Sequence, residues 1–261
     1  MSVTTWGAGD YPLMAEQLDR AAAAAVDLAD VQRGDRLIDV ATGTGNAALL
    51  AAARGAEVLG VDFEPGLLDV ARRRGVDLGL HVRWEAADLA ALPVPDEWAT
   101  VVVSVFGVMY ATDHEAAARE MARGTAPNGR IVLASWVPGS FMPAMGQALA
   151  TFLPPPPPSS GPPSRWGDAA ALEAMLATAG LNTLSSSVET LPMTFADCTS
   201  AVDFLVHTAG HVIAERDRLT RAGRWDELLT VMRGLVDARA VHRDGQLRID
   251  CEYLLTCARR A

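Results

Sequence analysis

Residues 36–49 read RLIDVATGTGNAAL, and this stretch constrains the chain more than any other. An apolar strand (Leu37, Ile38, Val40) enters a Gly43-Thr44-Gly45 turn and leaves it as an Ala/Leu helix. Seventeen residues beyond Gly45 stands Asp62, at the end of a second apolar run, Val-Leu-Gly-Val-Asp. Glycines let the backbone approach a ligand, and a helix N-terminus offers unpaired N–H groups to it. An acid at the tip of the next strand can accept both hydroxyls of a ribose. Together these features predict a pocket for an adenosine-containing cofactor.

The same pattern continues along the chain. A helix is expected over 13–29, the first strand over 36–41, a helix over 46–54 and the second strand over 57–61. Pro65 suits the first turn of a helix that runs to Arg74. A third strand is expected over 81–86. Thr100-Val101-Val102-Val103-Ser104 is a continuous apolar run of the kind found in sheets buried on both faces. A helix over 114–124, a Pro127-Asn128-Gly129 turn and a strand over 130–135 follow. Alternating strands and helices give a doubly wound α/β fold with a parallel sheet. Ligands in such sheets sit beyond the carboxyl ends of the strands. Asp39, Asp62, Asp88 and Ser104 all fall at or just after such ends.

The second half departs from this rhythm. Five prolines over 154–158 make a stiff connection, after which Asp168 caps a helix over 168–179 that Gly180 closes. A sixth strand is expected over 183–191 and a last one over 246–258. Residues 196–240 between them read as helical. They suggest a lid of 196–240 on a main domain made of 1–195 and 241–261.

Composition narrows the partners. A net charge of −10 argues against nucleic acid. No 18-residue apolar span and no export signal is present, so a cytoplasmic protein with no membrane association is expected. The basic residues are all arginine, which rules out a lysine Schiff base. Arg72, Arg73 and Arg74 read as a solvated helix end. Cys198, Cys251 and Cys257 have no metal-ligand spacing and read as reduced thiols; no metal is expected.

Gly43-x-Gly45-x-x-Ala48 also fits the dinucleotide fingerprint, with Asp62 at a suitable distance. Three features oppose that reading. Asp39 precedes the turn, where it is poor company for a pyrophosphate but suits the ammonium of a methionine moiety. A helix precedes the first strand. Asp88, after the third strand, can accept from the exocyclic amine of adenine. An NAD-dependent oxidoreductase of the short-chain type would also need a lysine that this chain lacks.

The ordered series Asp39 to Gly45, Gly60-Val61-Asp62, Ala87-Asp88, Val103 to Met109 and Pro127 to Arg130 resembles the class I S-adenosylmethionine-dependent methyltransferases, and most the UbiE-like type 11 branch. The resemblance covers about residues 6–136. It implies a Rossmann-like, seven-stranded, mostly parallel sheet with helices on both faces, S-adenosyl-L-methionine as cofactor and S-adenosyl-L-homocysteine as product. It also implies roles by position. Asp39, Ala41, Thr42, Gly43 and Gly45 would hold the methionine part. Asp62 would take the ribose, with Phe63 beside the adenine. Asp88 and Leu89 would read the adenine edge, and Ser104 and Phe106 would face the methionine and the methyl. Trp6 and Tyr11, in an aromatic start, would fold over the sulfonium. Ala41 and Thr42 depart from the Gly and Cys common there.

Candidates for substrate contact or proton transfer are Tyr110, at the mouth of the crevice, and His207 and His211, four apart and so on one face of an expected helix. The acceptor is expected to be a small, partly apolar metabolite, and the chain a monomer or homodimer. A non-methylating member of the same fold, a cyclase or a cofactor-binding protein, is the alternative.

Overall fold

In a computed structural model, residues 9–155 and 159–260 are described. The first half follows the expected alternation: α1 (Tyr11–Leu28), β1 (Arg36–Val40), α2 (Asn46–Ala53), β2 (Glu57–Asp62), α3 (Pro65–Asp77), β3 (Arg83–Ala86), β4 (Ala99–Val105), α4 (His114–Gly124) and β5 (Thr125–Trp136). α3 begins on Pro65, where a missing N–H costs nothing. α4 is capped by Asp113, whose side chain accepts the Ala116 N–H at 2.8 Å.

The second half holds α5 (Phe141–Leu149), α6 (Ala169–Thr178), β6 (Leu181–Phe195), α7 (Cys198–Thr208), α8 (Gly210–Ala214), α9 (Arg216–Arg221), α10 (Trp225–Arg239), β7 (Val241–Arg243) and β8 (Gln246–Arg260). Asp168 caps α6 as expected, accepting the Ala171 N–H at 3.0 Å. α5 is an addition to the expected elements. β6 and β8 are longer than expected because they pair along nearly their whole length.

Seven strands form the main sheet in the order β3-β2-β1-β4-β5-β8-β6, and the short β7 pairs with β8. β3, β2, β1, β4 and β5 are mutually parallel, whereas β8 runs antiparallel to both β5 and β6. β2 and β4 flank β1 on opposite sides, so the chain reverses its winding direction there. Right-handed crossovers then put α2 and α3 on one face and α4 on the other. The switch point opens a crevice at the carboxyl ends of β1, β2 and β4.

One continuous apolar core runs from Met14 on α1 through β1, β4, β5 and β8 to Val236 on α10. The helices between β6 and β7 therefore share the core of the sheet. α10 packs on α5 and α7, and α7 reaches α1. Among the described residues, no helix is long and apolar enough to cross a membrane.

Candidate functional site

The turn after β1 adopts backbone geometry that suits glycine. Gly43 and Gly45 have φ of 54° and 87°, in the left-handed region. Ala41 shares it at 56°, although it carries a β-carbon. Gly107, just past β4, makes room for this: a β-carbon there would lie 2.3 Å from that of Ala41. Phe106 is left-handed too, at 58°. Strained non-glycine backbone thus gathers at the carboxyl ends of β1 and β4, as it often does at functional sites.

Two buried carboxylates bracket the turn. Asp39 Oδ2 accepts the Thr42 hydroxyl at 2.6 Å and the Ala48 N–H of α2 at 3.0 Å. Burial outweighs both hydrogen bonds and pushes its pKa up to about 7, with Asp62 adding repulsion. Asp62 Oδ2 accepts the Gly43 N–H at 2.8 Å, and Oδ1 accepts the Glu64 N–H at 3.0 Å. Burial raises Asp62 above the usual carboxylate range as well, opposed by those two N–H groups.

Around this pair lie other expected residues. Tyr11 sits over the turn, its Cε1 3.4 Å from where a Gly43 β-carbon would be, and burial raises its hydroxyl pKa. The cavity left between Tyr11, Asp39, Thr42, Thr44 and Val105 measures about 30 Å³. Phe63, beside Asp62, presents an exposed ring. Asp88 is exposed and accepts the Ala90 N–H at 2.9 Å, while Leu89 is buried next to it. Tyr110 stands half exposed in a short 3-10 turn over Val108–Tyr110. Trp6 lies outside the described residues.

Ser104 and Phe106 are both buried at the carboxyl end of β4. Ser104 is fully buried; its hydroxyl donates to the Val40 carbonyl at 2.7 Å and accepts the Val108 N–H at 3.0 Å. It ties β1 to the turn that carries Tyr110. The positive φ of Phe106 turns its ring onto Trp136, stacked at 3.7 Å with 9° between planes, and edge-on to Tyr253 at 5.5 Å.

His207 and His211 do not share one helix face. The helix breaks at Ala209, where ψ is 88°. The reason is the chain entering α1: the Asp10 N–H donates to the His207 carbonyl at 2.8 Å, and Gly9 packs close to the Thr208 carbonyl and the Gly210 N–H. His207 Nδ1 turns back to the Asp203 carbonyl at 2.6 Å. His211 is on α8.

Sequence reasoning also missed Arg74, assigned to a solvated helix end. Its Nη1 instead donates to the Thr44 carbonyl at 2.8 Å and to Asn46 Oδ1 at 2.6 Å. A larger cavity of about 910 Å³ lies away from this chemistry, at the amino ends of β2 and β3 between Arg72, His81 and Trp98.

Residues 38–133, from β1 to β5, match the family model described as a methyltransferase domain. The chain belongs to the class I S-adenosylmethionine-dependent methyltransferases. Its methyltransferase relatives include the demethylmenaquinone methyltransferase of Thermus thermophilus, 45% identical over 116 residues, or 44% of this chain and 53% of that enzyme. A Mycobacterium tuberculosis protein with no described activity is 37% identical over 187 residues, covering 70% of this chain and 68% of its own. Among solved structures, the YcgJ protein of Bacillus subtilis superimposes with a TM-score of 0.65 at 16% identity, over 92% of this chain and 98% of that one. At that identity the likeness establishes the Rossmann-like methyltransferase fold alone.

Proposed function

We propose that this methyltransferase binds S-adenosylmethionine at the Gly43–Gly45 turn and transfers its methyl group to an oxygen, nitrogen or carbon nucleophile of a small, partly apolar metabolite. The observation that carries the reading is the pair of buried carboxylates, Asp39 and Asp62, on either side of a left-handed glycine turn. The donor set fits the group. A carboxyl held near neutrality in a buried site is poised to ionise beside an ammonium, which supplies the missing countercharge. Asp62, at the tip of β2, has lone pairs to spare for two hydroxyls beyond the Gly43 and Glu64 N–H groups. Phe63 offers an exposed ring for a planar base.

When bound, the sulfonium supplies an activated methyl group. The chain's own part is to bind, align and dry the site. Asp39 and the turn hold the amino-acid end, and Asp62 fixes the ribose. Tyr11 covers the turn from α1; with a cavity of only about 30 Å³ beneath it, the start of α1 must swing out to admit a cofactor. Tyr110 and His211 stand as candidates to touch the acceptor, with His207 on the neighbouring helix. One of them takes a proton only where the nucleophile carries one. Residues 196–240 act as the cap over the acceptor. Their partly exposed apolar side chains, among them Phe204 and Ile213, suit a small metabolite, and the charge of −10 disfavours nucleic acid.

Calorimetric titration with S-adenosylmethionine, S-adenosylhomocysteine and NAD separates the readings. Binding of the first two, weakened at least tenfold by Asp62→Ala, is expected. Binding of NAD alone would overturn the proposal. Turnover that yields no S-adenosylhomocysteine would mark a non-methylating member of the fold.

A further inference from the structure

We propose that Arg74 and Asn46 form a positioning pair that sets the spacing between the glycine turn and Tyr11, and through it the affinity for the cofactor. The inference rests on the reading of this turn as the cofactor cradle. Gly45 stands at the N-cap position of α2 and has no side chain to cap it, so the first turn relies on groups from elsewhere, among them Asp39 at the Ala48 N–H. Three side chains hold the turn from outside. Asp39 and Asp62 do so from the ligand side, and both would be drawn into contacts with a bound cofactor. Arg74 does so from α3.

Arg74 Nη1 meets the Thr44 carbonyl at 2.8 Å, the Thr44 hydroxyl at 3.2 Å and Asn46 Oδ1 at 2.6 Å. The Asn46 amide then donates from its nitrogen to the Ala15 carbonyl of α1 at 2.7 Å. Both ends of that amide are therefore fixed in orientation. Ala15 lies one turn along α1 from Tyr11, the residue that rests on Gly43. Arg74 also faces Asp19 of α1; burial pushes that carboxyl up and the guanidinium opposes the shift. The chain of contacts runs α3–turn–α1, so a change at Arg74 moves the cradle and its cover relative to each other. Arg72, two residues away, pairs with Asp69 at 2.6 Å and lies 3.5 Å from the Trp84 carbonyl on the exposed surface, and makes no hydrogen bond to Thr44 or Asn46.

The test compares Arg74→Met, Arg74→Lys, Asn46→Ala, the Arg74→Met/Asn46→Ala double variant and the control Arg72→Met in the full-length protein. S-adenosylhomocysteine affinity is measured by calorimetry, and amide shifts of Gly43, Gly45 and Tyr11 by ¹H–¹⁵N NMR without ligand. Arg74→Met and Asn46→Ala are each expected to weaken binding about tenfold, since each removes a charged or amide hydrogen bond. The double variant should be no weaker than the worse single, because the two residues act in series. Arg74→Lys should recover part of the loss, and Arg72→Met should match the wild type. In the unliganded protein the three amides should shift with Arg74→Met. Wild-type affinity in Arg74→Met, additive losses in the double variant, or unmoved amides would each overturn the pair. A wild-type protein that binds no S-adenosylhomocysteine would instead sink the cofactor reading, and the amide shifts would then decide the pair by themselves.

Discussion

The indole of Trp84 fills the space that a β-carbon on Gly60 would need, with its Cζ3 2.4 Å from that position. The two residues are register partners on β3 and β2, so their side chains share a face. The same ring also comes within 2.6 Å of a β-carbon site on Gly45. One side chain on an edge strand thereby fixes two glycines, one in the sheet and one in the turn. Gly60→Ala is expected to destabilise the protein by about 1–3 kcal/mol through overpacking. Trp84→Leu in the Gly60→Ala background should recover part of that loss. Chemical denaturation of the two single variants and the double variant checks this, and simple additivity would refute the contact.

Asp39 couples stability to pH. Its pKa is raised from 3.8 to about 7 in the folded protein, chiefly by burial. The neutral carboxyl is therefore the form that the fold favours. That contribution is fully present below about pH 3.8 and is lost as pH rises towards about 7. Asp39→Asn keeps an oxygen that can accept from Thr42 and Ala48 without ionising. The stability difference between wild type and Asp39→Asn, measured by denaturation from pH 4 to 8, should shift in favour of the variant as pH rises through about 7. The variant should also bind S-adenosylmethionine at least tenfold more weakly, having lost the charge that faces the ammonium.

Much of this was legible in the sequence, for reasons that can be named. β1, the turn and β2 announce themselves because a left-handed turn demands glycine and a buried parallel strand demands unbroken apolar residues. That Asp39, Gly43, Gly45 and Asp62 meet at one turn follows from the strand order alone. α5 holds Pro143 and Gly146, both poor helix formers, so its pattern is weak in the sequence, although Pro143 falls in the first turn where no N–H is needed. The break at Ala209 depends on a backbone contact from Asp10, nearly two hundred residues away in sequence, which no local pattern records. For Phe106 the resemblance implied a place by the methyl; that its ring stacks on Trp136 depends on its positive φ, which no sequence pattern announces. Arg74 was masked by its neighbours, since a run of three arginines reads as surface.

Ala41 carries strain that glycine would relieve. Its φ of 56° is costly for a residue with a β-carbon, by about 1–2 kcal/mol. Ala41→Gly removes that cost but loosens the unfolded chain, so a net gain of about 0.5 kcal/mol is expected. Gly107→Ala should do the opposite. Its new β-carbon would sit 2.3 Å from that of Ala41 and 2.7 Å from the Ala41 carbonyl oxygen. Combining Ala41→Gly with Gly107→Ala removes the first clash and leaves the second, so the double variant should recover only part of the stability. Thermal melts of the three proteins order as Ala41→Gly above the double variant above Gly107→Ala.

His114 gives the protein an acid-sensitive point beneath the crevice mouth. Its ring is buried edge-on to Trp166 at 5.6 Å, and among the described residues neither ring nitrogen meets a hydrogen-bond partner. Burial lowers its pKa from 6.5, and Arg165 lowers it further, against smaller upward pulls from Glu115, Asp113 and the Met109 backbone. A base with a depressed folded pKa holds its full stability above the unfolded value and loses it as pH falls below about 6.5. His114→Leu replaces a buried imidazole with an apolar group beside Trp166. At pH 7.5 it should leave stability within about 1 kcal/mol of wild type. At pH 5 it should be the more stable protein, because the wild type must either protonate a buried ring or open the packing around Trp166. If wild type and His114→Leu lose stability in parallel between pH 7.5 and 5, the ring is already hydrated and the buried geometry is wrong.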